Sequence, residues 1–358
     1  RINRDSLSDL VLISKQRKTG TQILTYILQG GKKFQPHLKN GLNSDFQMDV
    51  QFVAAGDLNQ DRSPDLMLLG YSEAKNVTRL LLNNKKGLRY WKRSKKVIPG
   101  GNCILSKRPE RYAPDLWPTY YKKAKGCYIW DLEGKKYVDM AQMGIGSAIL
   151  GYSNKEVDES VRKAISQGIN TTLNSFEEVH LAETLIKLNT FAGGVKFART
   201  GGEAMSIAIR IARGYSKKKI IAFSGYHGWY DWYLAANLRN KKNLNTHLLP
   251  GLSPLGVPKE LSGSIVPFKY NDENDFKKVL RKNRNIGIVV IEGARYDYPK
   301  NNFVKSILEE VKKRKLLLII DEITSGFRVS NSGSYIKTGL KPDIVVYGKG
   351  LGNGYAIS

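Results

Sequence analysis

Leu316-Leu317-Leu318-Ile319-Ile320-Asp321-Glu322 is an unbroken apolar run that ends in two carboxylates. A second run, Asp343-Ile344-Val345-Val346-Tyr347-Gly348-Lys349-Gly350, ends in a single Lys between glycines. Runs this short, apolar at nearly every residue and bounded by turn residues, read as strands buried on both faces. Similar runs lie at 195–198, 220–223 and 286–291, separated by amphipathic helical segments. Strands alternating with helices predict an α/β fold with a mainly parallel central sheet from about residue 93 onwards. Ser175-Phe176-Glu177-Glu178 reads as a capping box opening a helix with Val179, Leu181, Ala182, Leu185 and Ile186 inward. A further helix should follow Gly201-Gly202 and bury Ala204, Ile207, Ala208 and Ile211. Residues 128–130 and 136–139 read as a hairpin joined by Asp131-Leu132-Glu133-Gly134.

The chemistry-bearing residues gather where these strands end. A carboxylate closing an apolar strand costs energy unless a cation faces it. A protonated heterocyclic nitrogen would serve, and so would a Mg²⁺–phosphate in a Walker B arrangement. No GxxxxGK[ST] occurs in the chain, which argues against the nucleotide-hydrolase alternative. A Lys at such a strand end can lose its proton, because burial disfavours the ammonium form, and can then form a Schiff base with an aldehyde. Arg199-Thr200-Gly201-Gly202-Glu203 lies between a strand and a helix, where free N–H groups and the helix dipole suit a phosphate. Gly225-Tyr226-His227-Gly228-Trp229 follows the 220–223 strand and offers an aromatic that can stack on a flat cofactor. Each feature alone is common in turns and cores. In this chain order, together, they are the parts that a pyridoxal phosphate site requires.

Residues from about 95 to 358 resemble class III (fold type I) pyridoxal phosphate-dependent aminotransferases, most of all the glutamate-1-semialdehyde aminomutase-like branch. The resemblance runs through Ile98-Pro99-Gly100-Gly101, Lys125-Gly126-Cys127-Tyr128-Ile129-Trp130-Asp131, Thr200-Gly201-Gly202-Glu203-Ala204 and Tyr226-His227-Gly228. It ends with Asp321-Glu322-Ile323-Thr324-Ser325-Gly326-Phe327-Arg328 and Gly348-Lys349-Gly350-Leu351-Gly352-Asn353-Gly354. It implies that Lys349 holds the internal aldimine and later moves a proton, and that Asp321 pairs with the pyridinium nitrogen. Thr200, Gly201 and Gly202 would bind the phosphate, Tyr226 would stack on the ring, and His227 would sit beside it. Glu292 aligns with a Glu that the family usually follows with Pro; here Gly293 follows. Arg328 is expected to brace the turn after Asp321. The family's phosphate turn is usually Ser/Thr-Gly-Thr, so Gly202 stands where a hydroxyl is expected. The resemblance further implies a homodimer, a small-molecule amino donor and a carbonyl acceptor. It also implies a C-terminal part beyond Ser358, including a phosphate-contacting hydroxyl given to the partner subunit.

Residues 1–90 read differently, as all-β with an internal repeat. Asn3-Arg4-Asp5-Ser6-Leu7-Ser8-Asp9-Leu10 matches Asn59-Gln60-Asp61-Arg62-Ser63-Pro64-Asp65-Leu66 at an offset of 56 residues, a period suited to one four-stranded propeller blade. Asp57, Asn59, Asp61 and Asp65 give D-x-N-x-D-x-x-x-D, a spacing that can set oxygen ligands around Ca²⁺. An Asx-rich turn without metal is the alternative. The region resembles FG-GAP (VCBS) propeller repeats, which implies a partial propeller with further blades before Arg1.

The chain of 358 residues is thus expected to comprise these repeats (1–90), a linker (91–101) and an aminotransferase domain (102–358) without its C-terminal part. Its net charge of +26 would suit nucleic acid, but it is spread evenly. Residues through Lys96 carry 18 basic and 8 acidic groups, and the rest 40 and 24. No nucleic-acid partner is expected, and no apolar run is long enough to cross a membrane. Cys103 and Cys127 read as packing thiols. The first residue is Arg1, which suggests a piece of a longer protein. The enzyme part points to the cytoplasm, the repeats to export. Two alternatives stay open: an intramolecular aminomutase, and a calcium-binding propeller module joined to an inactive enzyme fragment.

Overall fold

The computed structural model describes the backbone of residues 10–14, 24–29, 32–35, 49–56, 65–72, 75–81 and 85, and the full residues 86–113 and 117–358. Contacts divide the chain into two units, Arg1–Met140 and Ala141–Ser358.

In the first unit, β1 (Leu10–Ser14), β2 (Leu24–Gln29) and β3 (Lys32–Gln35) form one antiparallel sheet. β4 (Asp49–Gly56), β5 (Asp65–Ser72) and β6 (Lys75–Leu81) form another. The repeat predicts a four-stranded blade; among the described residues the strands pair as two sheets of three. Asp57, Asn59 and Asp61 lie outside the described residues, and Asp65 opens β5. α1 (Lys85–Val97) occupies the start of the expected linker. Its Trp91 is buried and donates to Glu110 at 2.9 Å, which gives this basic segment an inner face. The hairpin forms as β8 (Tyr128–Asp131) and β9 (Lys136–Val138), preceded by β7 (Tyr121–Lys125) in antiparallel pairing. The Lys-rich β7 is mostly exposed and lacks the apolar alternation that would have marked it as a strand. Cys103 and Cys127 are both exposed, not packed.

The second unit holds α2 (Lys155–Gln167), α3 (Phe176–Leu188) and α4 (Gly201–Ser216), then a sheet with its covering helices. The strands are β10 (Ile220–Ser224), β11 (Ile265–Pro267), β12 (Ile286–Glu292), β13 (Leu317–Asp321) and β14 (Ile344–Val346). α5 (Glu273–Lys282) precedes β12 and α6 (Asn301–Arg314) precedes β13. All neighbouring pairs are parallel, in the order β11-β10-β12-β13-β14, as the alternating pattern predicts. Successive strand residues face opposite layers. Phe223, Ile288, Val290 and Ile319 pack with Ala204, Met205, Ala208 and Ile209 of α4. Ala222, Val289, Ile291 and Leu318 pack with Phe276 of α5 and Phe303 of α6. Each large apolar side chain so buried contributes roughly 1.5–3 kcal/mol.

Three local expectations change. Residues 195–198 make no ladder: Ala198 exchanges two backbone bonds with Ser358, at 2.7 and 2.8 Å, and a single bridge is not a strand. α4 buries Ala204, Met205, Ala208, Ile209 and Ala212, while Ile211 is 51% exposed. Two adjacent apolar stripes run along that helix, and contact with β12, β13 and β14 selects one of them. α3 buries only Leu185, and Ser175 makes no cap bond because its hydroxyl turns to Glu177.

The chain leaves β10 to form β11 on one side and returns to form β12 on the other. The carboxyl ends of β10 and β12 therefore open a crevice at a topological switch point.

Candidate active site

Four strand ends deliver their last residues to this crevice. Glu292 ends β12 beside Asp321, which ends β13, and Asp321 is in register with Val346 of β14. Lys349 begins a short 3₁₀ turn three residues beyond β14. Asp321 is 4% exposed; its Oδ1 accepts from the Ile323 N–H at 2.9 Å. Its Oδ2 lies 2.8 Å from His227 Nδ1, while His227 Nε2 lies 3.2 Å from the Ser224 carbonyl. That carbonyl can only accept, so Nε2 meets it as a donor, while Nδ1 faces the carboxylate. Each carboxylate oxygen has a second lone pair, leaving Asp321 able to accept from a ligand. Glu322 points the other way and is satisfied inside the protein by Ser325, Ser334 and the Tyr335 N–H.

Burial holds the Lys349 amine below its usual range, opposed by the Asp321 carboxylate and assisted by the Arg295 guanidinium. Its Nζ donates to Thr324 Oγ1 at 2.9 Å. The residue has φ 42°, a left-handed backbone rarely taken by Lys. Arg328 donates to the carbonyls of Thr324 and Gly146, bracing the turn after Asp321.

The Gly225–His227 turn is pinned from several sides. Gly225 donates its N–H to His247 Nδ1 at 3.2 Å, and its carbonyl accepts from the Tyr233 hydroxyl at 3.1 Å. The Tyr226 N–H donates to Glu292 Oε2 at 3.0 Å, and Arg295 Nε donates to Glu292 Oε1 at 2.8 Å. The Arg295 guanidinium lies 5.8 Å from the Tyr226 ring centroid. Gly225 has φ 113°, and a Cβ there would meet the Glu292 side chain at 2.6 Å, so only glycine fits this turn.

Thr200 caps α4: its Oγ1 accepts from Glu203 N at 3.2 Å, and Glu203 Oε2 accepts from Thr200 N at 3.1 Å. Among the described residues, the N–H groups of Gly201 and Gly202 have no protein acceptor. The crevice thus brings Tyr226, His227, Asp321 and Lys349 together, with Glu292 and Arg295 beside them. A Cβ on Gly201 would meet Ile323, two residues past Asp321, which places the first turn of α4 alongside the Asp321 turn. A separate cavity of about 480 Å³ lies between β14 and residues 193–198 and is lined by none of Tyr226, His227, Asp321 or Lys349. Arg295 and His247 escape sequence reasoning. The signal for Arg295 is an Arg three residues past a strand-end Glu; His247 lies in an irregular loop, marked only by being one of four histidines.

The model of the Aminotransferase class-III family matches residues 111–358. The chain belongs to the class-III aminotransferases. A glutamate-1-semialdehyde 2,1-aminomutase of Nitrosopumilus maritimus (strain SCM1) is 36% identical over 271 residues, which cover 74% of this chain and 61% of that one. A 3-aminobutyryl-CoA aminotransferase of Cloacimonas acidaminovorans (strain Evry) is 31% identical over 281 residues, 76% of this chain and 63% of that one. A solved transaminase with PLP bound superposes with TM-score 0.67 at 26% identity, covering 76% of this chain and 63% of that one. This class-III chain spans about three-fifths of the length of these curated relatives.

Proposed function

We propose that this class-III chain carries the cofactor-holding half of a pyridoxal phosphate-dependent enzyme that moves an amino group from a small-molecule donor to a keto or aldehyde acceptor. One observation carries the reading: a half-buried amine with lowered basicity and a buried carboxylate face one crevice beside a helix start with two unsatisfied N–H groups. These groups fit pyridoxal phosphate. The α4 N-terminus suits the phosphate, and residues 201 and 202 carry no side chain to fill the cradle. When bound, the cofactor supplies an aldehyde carbon that condenses with amines and a ring that draws electrons from it.

The protein's own groups do the rest. Thr200, Gly201 and Gly202 would hold the phosphate, and Tyr226 would lie against the ring. Asp321 would accept a hydrogen bond from the ring nitrogen and favour a proton there, and His227 holds that carboxylate in place. Lys349, its basicity lowered by burial, takes a proton at Nζ and returns it to a neighbouring atom. Thr324 orients the amine between these steps. Lys349→Ala should remove the visible, borohydride-sensitive absorption band that the parent chain shows with pyridoxal phosphate. A band that survives this change, or is missing from the parent, defeats the reading.

The mutase alternative is favoured by the name of the 36%-identical relative. A reaction that runs without any external acceptor would support it over transfer between two molecules. The homodimer is supported by exposed apolar side chains along residues 165–179, where Ile165, Leu173, Phe176 and Val179 are more than half exposed. The enzyme reading goes with the cytoplasm; no helix among the described residues is long and apolar enough to cross a membrane. For residues 1–90, the 56-residue repeat supports FG-GAP-type repeats with Ca²⁺ held by Asp57, Asn59, Asp61 and Asp65. Calorimetry of the whole chain with Ca²⁺ should show binding that Asp61→Ala loses; unchanged heat would remove the calcium site.

A further inference from the structure

Gly202 leaves the phosphate cradle with one hydroxyl fewer than the family turn that it resembles, and the structure shows what fills the gap. A Cβ on Gly202 would lie 2.4 Å from Cε2 and 2.8 Å from Cδ2 of Tyr230. The Tyr230 ring therefore takes the space that a side chain at 202 would occupy. The approach involves more than one residue, since a Cβ on Gly228 would stand 3.6 Å from the Gly202 Cα. The 228–230 segment thus lies against the first turn of α4. Trp229 stacks on Tyr230 with centroids 5.2 Å apart and planes 25° apart, which limits how the phenol can turn. Among the described residues, the Tyr230 hydroxyl has no hydrogen-bond partner, although its ring is half-buried beside two unsatisfied N–H groups. A fixed phenol with a free O–H, beside a cradle lacking a hydroxyl, is a donor waiting for an anion.

We propose that Tyr230 is a cofactor-binding residue: its ring replaces the side chain of residue 202, and its hydroxyl donates to the phosphate held at the α4 N-terminus. This rests on the pyridoxal phosphate reading above. Titrating the full chain with pyridoxal 5′-phosphate, and with pyridoxal, which has no phosphate, isolates the contact by protein fluorescence. Tyr230→Phe should weaken pyridoxal phosphate binding about tenfold, the worth of one charge-assisted hydrogen bond, and leave pyridoxal binding unchanged. Gly202→Ser alone should lose the phosphate form, and Gly202→Ser with Tyr230→Ala should regain it, because the ring is gone and a hydroxyl has returned. Equal pyridoxal phosphate affinity in Tyr230→Phe and the parent overturns the proposal, as does full affinity in Gly202→Ser alone. If Gly202→Ser does not fold, the Tyr230→Phe arm decides by itself. A parent chain with no preference for the phosphate form defeats the cofactor reading, and this proposal with it; the Lys349→Ala band reports that failure separately.

Discussion

His247 sets the turn that carries Tyr226 and His227, and it can do so only as a neutral ring. Its Nδ1 accepts the Gly225 N–H, which a protonated nitrogen cannot do. Burial, with the nearby His227 adding to it, lowers its pKa to about 4. The unfolded chain takes up this proton near the ordinary value of about 6.5, the folded chain only near 4. Between those values the unfolded state binds more protons, so stability falls as pH drops from 6.5 towards 4 and changes no further below that. The loss is at most about 3 kcal/mol. Urea unfolding at pH 7 and pH 4.5 should therefore show a smaller drop in His247→Gln than in the parent. An equal drop in both would assign the acid sensitivity elsewhere. Lys349 and Asp321 were readable because each ends a run of apolar residues, where a charge stands out. Nothing local sets His247 apart, since its role comes from Gly225, 22 residues away in sequence.

At the scale of elements, the start of α4 links stability to binding. Thr200 and Glu203 close a full capping box, leaving the N–H groups of Gly201 and Gly202 as the ones free for a ligand. Thr200→Val should lower stability by about 1 kcal/mol without ligand, the ordinary worth of an N-cap. Denaturant titration of the ligand-free chain measures this, and an unchanged midpoint would mean that the cap contributes nothing. The Thr-Gly-Gly-Glu pattern made the helix start legible, but the capping box signalled at Ser175 does not form. The difference is competition: a Ser hydroxyl beside Glu177 has a nearer acceptor than the N-cap geometry offers. β12 and β13 were legible because all but one of their residues are fully buried, which forces apolar residues at every position. β7, exposed along its length, left no such mark.

At the scale of the whole molecule, the second unit is a three-layer sandwich whose sheet presents the site at the carboxyl ends of its strands, and large apolar side chains of α2 and α3 are exposed. Val179, which the sequence reads as facing inward, is 56% exposed, and Phe176 beside it is 66% exposed. Apolar surface of this kind marks an interaction face. Sedimentation should find twice the chain mass, and Phe176→Asp with Val179→Asp should give the single-chain mass. A parent that sediments as one chain would remove the homodimer.

The order of apolar runs, and the residues that close them, determined the α/β class, the parallel sheet and the placement of Asp321 and Lys349 after buried strands, because burial on both faces leaves a continuous signature in one dimension. Tertiary structure alone decided which stripe of α4 faces the sheet, that 195–198 pairs through one residue, and that Arg295, His247 and Tyr230 stand at the site. Each of these depends on atoms brought together from distant parts of the chain, and pairwise contact at that separation leaves no periodicity to read.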